Sequence, residues 1–176
     1  MKIPGLAPMS RDDHGRYRSE AVSIPVLAGV ACHLVIEGYD DDANREDFDA
    51  AVAAFLTLDR DALAAAAPAI FEYYQDVVYW LADDEVPVLI GGPDSVLDHV
   101  HPGPEVVVAR DLRRDRRVYV SVECECDWEP EHGLQIVFRD GATVTKVGPF
   151  DGHLTNAAAY ARDDLEGIVY HGHGLR

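Results

Sequence analysis

The sequence predicts an α+β domain in which an antiparallel β-meander sheet packs against two to three central helices. Three observations carry this reading. Period-two alternation recurs over 118–126, 134–139 and 142–147, with the turn pair Asp140-Gly141 between the last two. Apolar residues at helical spacing run through the middle of the chain, near 45–57 and 60–82. The chain has 176 residues and a 48% hydrophobic composition, enough for one sizeable core. A single domain over 1–176 is expected, with an irregular segment at 1–18 and a frayed tail at 171–176.

Taken in order, 21–27 and 31–36 read as strands, with Cys32 in the second as a core residue. The acids from Glu37 to Asp49 precede and open the first helix, where Asn44 suits the cap and negative charge suits the helix dipole. A calcium loop of the EF-hand type needs alternating acids and a central glycine, which this stretch lacks. In the first helix Phe48, Val52, Phe55 and Leu56 make one apolar face. In the second, Leu63, Ala67, Ile70, Tyr74, Val77 and Leu81 draw a stripe straight through Pro68. Proline removes a backbone donor, so a kink or a fresh helix start is predicted there. After a break at Gly91–Pro93, a short helix ends at His99 and His101, which read as its exit into the turn Pro102-Gly103-Pro104. A strand at 105–109 follows. The run Arg110–Arg117 holds five arginines and two aspartates and reads as an exposed connection, with phosphate binding as the weaker alternative.

In 118–126, Val118, Val120, Val122, Cys124 and Cys126 share one face and Tyr119, Ser121, Glu123 and Glu125 the other. The two cysteines continue a valine stripe, which favours buried thiols over half of a zinc site. If Asp140-Gly141 is a two-residue turn, Arg139 faces Ala142. Phe138 then pairs with Thr143, Ile136 with Thr145 and Leu134 with Val147 on the core side, while Gln135 meets Lys146 behind.

An up-down-up run of these strands brings the loops 127–133 and 148–153 to one sheet edge, roughly 10 Å apart at their parent strands. Asp127, Glu131, His132, Asp151 and His153 are expected to converge there beside Trp128, which would form an apolar wall. Mixed carboxylate and imidazole donors suit a divalent ion, and an acid beside a histidine can tune a general base. Against this, such residues in strand-end loops commonly cap free backbone groups, and Gly133 and Gly152 look like turn residues. The spacing fits no established metal motif. There is no phosphate-gripping glycine loop, nucleophile elbow, HExxH or dinucleotide fingerprint. No catalytic residue, metal or cofactor is therefore assigned, and the six rim residues are a binding candidate. His171 and His173 near the end are read as part of the tail.

Fifteen cations against thirty-two acids give a formal charge of −17. That disfavours non-specific attraction to nucleic acid or an anionic bilayer and favours a basic protein partner. No apolar run approaches membrane-spanning length. Three cysteines without a disulfide-like spacing, and no hydrophobic leader, predict a cytoplasmic protein.

Several phrases carry a resemblance: SIPVLAGVACHLVIEGYDDD, AAVAAFL, FEYYQDV, CDWEPEHGLQIVFRDG and VTKVGPFDGHLTN. Over about Ser23 to Asn156 the chain resembles a bacterial family of uncharacterised domains, domain of unknown function family 6985. The resemblance implies no established activity and no catalytic residue, and it implies the company of proteins found near bacterial toxin and defence loci. The tail HGHGLR departs from the family pattern. Two functional expectations follow. One is a non-catalytic, immunity-type interaction module whose acidic surface meets a basic partner. The alternative is a metal-dependent or acid/base hydrolase using Asp127, Glu131, His132, Asp151 and His153.

Overall fold

The computed structural model describes residues 3, 6–81 and 85–172. It is a mixed α+β fold built on one open, mostly antiparallel sheet of eight strands. The strands are β1 (Ser10–Arg11), β2 (Tyr17–Arg18), β3 (Val22–Ile24), β4 (Val30–Ile36), β5 (Val100–Arg110), β6 (Val118–Cys126), β7 (Leu134–Arg139) and β8 (Thr143–Gly148). Their spatial order is β1-β2-β4-β5-β6-β7-β8, with β3 also paired to β4. The α-helices among the described residues are α1 (Glu46–Thr57), α2 (Arg60–Ala64), α3 (Ala67–Tyr79), α4 (Pro93–Val96) and α5 (Asn156–Ala159), five rather than two to three. None of the described helices is long and apolar enough to cross a membrane.

The sheet is not the simple meander expected. From β5 to β8 consecutive strands are antiparallel neighbours, but β4 lies parallel to β5, with His33 opposite Glu105 and Ile36 opposite Val108. Parallel neighbours need a long crossover, and here it carries α1 to α4. The segment expected to be irregular holds the short strands β1 and β2. The strand expected at 21–27 stops at Ile24, because Pro25 opens a short 3-10 turn and Ala28 and Gly29, both at positive φ, send the chain back as β4. The strand expected at 105–109 is longer, since β5 starts at Val100 and accommodates Pro102 and Pro104 through a register shift between Pro102 and Val106. The single helix expected over 60–82 is two helices, and Pro68 sits in the first turn of α3, where its missing N–H costs no internal bond. Of the tail, His171 and Gly172 are described, and His171 stacks edge-on to Tyr160. His173 and the residues after it lie outside the described residues.

One face of the sheet makes the main core. Val118, Val120, Val122, Cys124 and Cys126 of β6 are all buried there, with Phe48, Val52 and Phe55 of α1 and Ile70, Tyr73 and Tyr74 of α3. Phe55 and Phe138 meet edge to face at 5.2 Å. The β7–β8 register differs from the expected one. Asp140, Gly141 and Ala142 form a three-residue connection, so Arg139 faces Thr143, and a bulge at Thr145 brings Val137 opposite Lys146 and Ile136 opposite Val147. Gly141 sits at φ 67, with the carbonyl of Ala51 on α1 against it.

The second face buries Val35, Tyr119, Ser121, Gln135, Val137 and Lys146. From this face Lys146 Nζ donates to the His153 carbonyl at 3.1 Å, and further along the chain Arg114, in the connection between β5 and β6, donates to the Ala157 carbonyl at 2.8 Å. The arginine run is not simply an exposed connection. The Arg110 side chain is 7% exposed and lies over Phe48, and it donates to Asp42 at 2.5 Å and Asp47 at 2.9 Å. Burial, the largest single influence, would raise the Asp42 carboxyl, but the Arg110 hydrogen bond, the Asn44 N–H and the Arg110 charge together outweigh it and hold the carboxyl below its usual range.

Candidate functional site: an acidic groove at the β6–β7 turn

The loop from β6 to β7 is fixed by its own short-range chemistry. Glu129 turns back on the chain, its carboxylate accepting from the backbone N–H of Glu131 at 3.2 Å and of His132 at 2.6 Å. Gly133 N–H donates to the Glu129 carbonyl at 3.1 Å and closes the turn. At φ 60 Gly133 adopts a conformation that favours glycine, and a Cβ there would stand 2.4 Å from the Cys124 carbonyl oxygen. Tyr73 of α3 donates its hydroxyl to the Gly133 carbonyl at 3.0 Å, bracing the loop from the core side.

The two loops do meet. Phe150 N–H donates to the His132 carbonyl at 3.2 Å. Their side chains, however, divide into three groups rather than one cluster. Asp127 is gripped by two imidazoles, His99 Nδ1 at 2.8 Å and His101 Nε2 at 2.7 Å. These hydrogen bonds, His99 first, hold the Asp127 carboxyl below its ordinary value. Glu131 and His132 gather with Glu129. Asp151 turns to the second sheet face, where it accepts from Lys146 Nζ and from the His153 N–H at 2.8 Å, with His153 Nδ1 at 3.4 Å.

Trp128 forms no wall of the rim. It is 1% exposed and sits in the main core, edge-on to Tyr73 at 6.1 Å and Tyr74 at 6.0 Å. These rings on α3 take the indole inward, and its Nε1 has no partner among the described residues.

Lys146 anchors the Asp151 group. Its Nζ also donates to Gln135 Oε1 at 2.7 Å, and Gln135 Nε2 donates to Ser121 Oγ at 2.9 Å. Burial lowers the Lys146 pKa, and Asp151 only partly restores it. The cysteines are poor nucleophiles for the same reason: burial pushes the Cys126 thiol up to about 12 and Cys124 higher still.

Beside the turn lies an open groove of about 750 Å³. Its lining includes Glu105, Glu123, Glu125, Asp127, Glu129 and Glu131, together with His101, His132, Pro104 and Phe150, but no lysine or arginine among the described residues. Asp151, His153 and Trp128 do not line it. Glu105 is paired with Arg18 and Asp127 with its histidines, whereas Glu123, Glu125 and Glu131 form no ion pair among the described residues.

Sequence reasoning missed His99, His101, Glu123, Glu125 and Glu129 as parts of this site. For the histidines the signal lay in strand pairing. Val100 stands opposite Cys126 and His101 opposite Glu125, which sets both histidines beside Asp127 once β5 is extended through Pro102. For Glu129 the signal was its three-residue spacing to His132 within a tight turn.

A family model described as Domain of unknown function (DUF6985) matches residues 6–154. No curated protein and no solved structure matches the chain.

Proposed function

The chain belongs to the DUF6985 family, whose description carries no activity, and from that premise we propose that it is a non-catalytic interaction module that receives a basic segment of a partner protein in the acidic groove. The observation that carries this reading is the run of unpaired carboxylates, Glu123, Glu125 and Glu131, on one open surface that no lysine or arginine lines among the described residues. Carboxylates held together without a counter-charge repel one another, and a cationic partner relieves that repulsion. The net charge of −17 adds long-range attraction for the same class of partner. Exposed Phe150 and the flanking prolines Pro104 and Pro130 offer apolar contact at the rim. An immunity-type role, in which this surface neutralises a basic toxin domain, is the finer form of the proposal. The hydrolase alternative has less support, because its five residues are divided between Asp127 with its histidines, the Glu129 turn and the Lys146 network.

The test is capture from lysate with the wild-type chain and with a Glu123→Lys, Glu125→Lys double variant. A basic polypeptide should be retained by the wild type, released as salt rises, and retained weakly or not at all by the variant. Retention that ignores salt, equal retention by both proteins, or no retained partner would count against the proposal.

A further inference from the structure

We propose that Glu129, Glu131 and His132 form a binding site for a divalent transition-metal ion of the zinc class at the edge of the groove. One ligand atom from each of the three residues lies within 4.8 Å of the other two. Within that set His132 Nδ1 stands 3.4 Å from Glu129 Oε2. A tetrahedral ion with bonds of about 2.0–2.1 Å holds its ligands roughly 3.3–3.4 Å apart. The imidazole and the carboxylate are therefore already spaced as two corners of a tetrahedral coordination shell. Glu131 is exposed and its side chain has the freedom to swing in as the third donor.

The donor chemistry narrows the ion. Carboxylates alone would suit magnesium or calcium, whereas an imidazole in the set favours zinc and its first-row neighbours. The scaffold meets the demand for a fixed first ligand. Glu129 has a side chain only 15% exposed, and its carboxylate is oriented by the N–H groups of Glu131 and His132 while each oxygen keeps a free lone pair. The loop beneath is braced by the Tyr73 hydroxyl and by the Phe150 N–H. Glu123 and Glu125 line the same groove and raise the local cation concentration. Three protein donors leave a fourth position for water or for a group supplied from outside.

Calorimetric titration of zinc sulfate into metal-stripped, untagged full-length protein tests the site, with cobalt replacing zinc for its visible ligand-field absorption. One saturable site per chain is expected. His132→Ala and Glu131→Ala should each weaken binding at least about tenfold, the lower end of what even ligand-supporting residues are worth. Glu131→Ala leaves the Glu129 turn intact, so its effect is separable from misfolding, which circular dichroism monitors. A His99→Ala, His101→Ala variant should bind zinc as the wild type does. No saturable binding overturns the proposal, as does binding that survives His132→Ala and Glu131→Ala. So does binding lost only in the His99, His101 variant, which would place the ion on the Asp127 clamp.

Discussion

The buried ammonium of Lys146 makes a sharp prediction: removing its counter-charge should hurt more than removing the lysine itself. Lys146 is 1% exposed and donates to Gln135, Asp151 and the His153 carbonyl. In Lys146→Met an aliphatic stem of similar length stays, while Gln135 Oε1 loses its donor and the Asp151 carboxylate, a third exposed, is rehydrated. A buried acceptor left unpaired costs about 1–3 kcal/mol, and no charge then has to be desolvated, which offsets part of that. Asp151→Asn instead strands a charged group inside the protein, a change that costs about 3–5 kcal/mol in buried pairs. Urea unfolding at pH 7 should therefore show Asp151→Asn less stable than Lys146→Met by about 2 kcal/mol. The pH dependence has a definite sign. Burial lowers the folded pKa of Lys146, with Asp151 opposing, so between that value and the unfolded value of about 10.4 the unfolded chain holds more protons and stability rises with pH. Without Asp151 the folded pKa falls further and the window opens downward, so the deficit of Asp151→Asn should shrink as pH approaches about 10. Equal losses, a larger loss in Lys146→Met, or a deficit that stays constant with pH would refute the reasoning.

Gly141→Ala places a Cβ 1.9 Å from the Ala51 carbonyl at a φ of 67, so the hairpin tip must shift away from α1. A loss of at least about 2 kcal/mol, or about 4–8 °C in Tm by calorimetry, is expected, and an unchanged Tm would show that α1 yields freely. In Asp127→Asn the histidine clamp loses its anion. Because His99 and His101 depress the folded pKa of Asp127, its contribution is present above the unfolded value of about 3.9 and is lost as pH falls through the folded value. Acid unfolding followed by circular dichroism should show wild type and variant converging at the low-pH end, and a gap that persists there would show that the clamp does not stabilise the fold through the Asp127 charge.

Period-two and period-3.6 patterns made the local elements legible. The valine and cysteine stripe of β6 is buried as the alternation required, Phe48, Val52 and Phe55 face the core, and Pro68 opens a new helix. Partners distant in sequence were not legible. Nothing local in 30–36 or 105–109 tells that β4 and β5 lie side by side in parallel, because that pairing is set by how α1 to α4 cover the sheet. Pro102-Gly103-Pro104 has the composition of a turn, and only the bulged pairing with β6 keeps it in a strand. The hairpin register slipped because Asp140-Gly141 is equally at home in a three-residue connection, with Thr145 absorbing the offset. At the site, the meeting of the two loops followed from strand direction. The heading of each side chain did not: Trp128 follows the rings of α3 and Asp151 follows Lys146, both choices made by residues far along the chain.

The family match ends at residue 154, yet Ala157 and Leu165 are buried and Arg114 reaches across to the Ala157 carbonyl. Trimming an expression clone to the shared boundary would thus remove two buried apolar residues and take from Arg114 its carbonyl acceptor. In this chain the unit to be produced and assayed is larger than the unit by which it is classified.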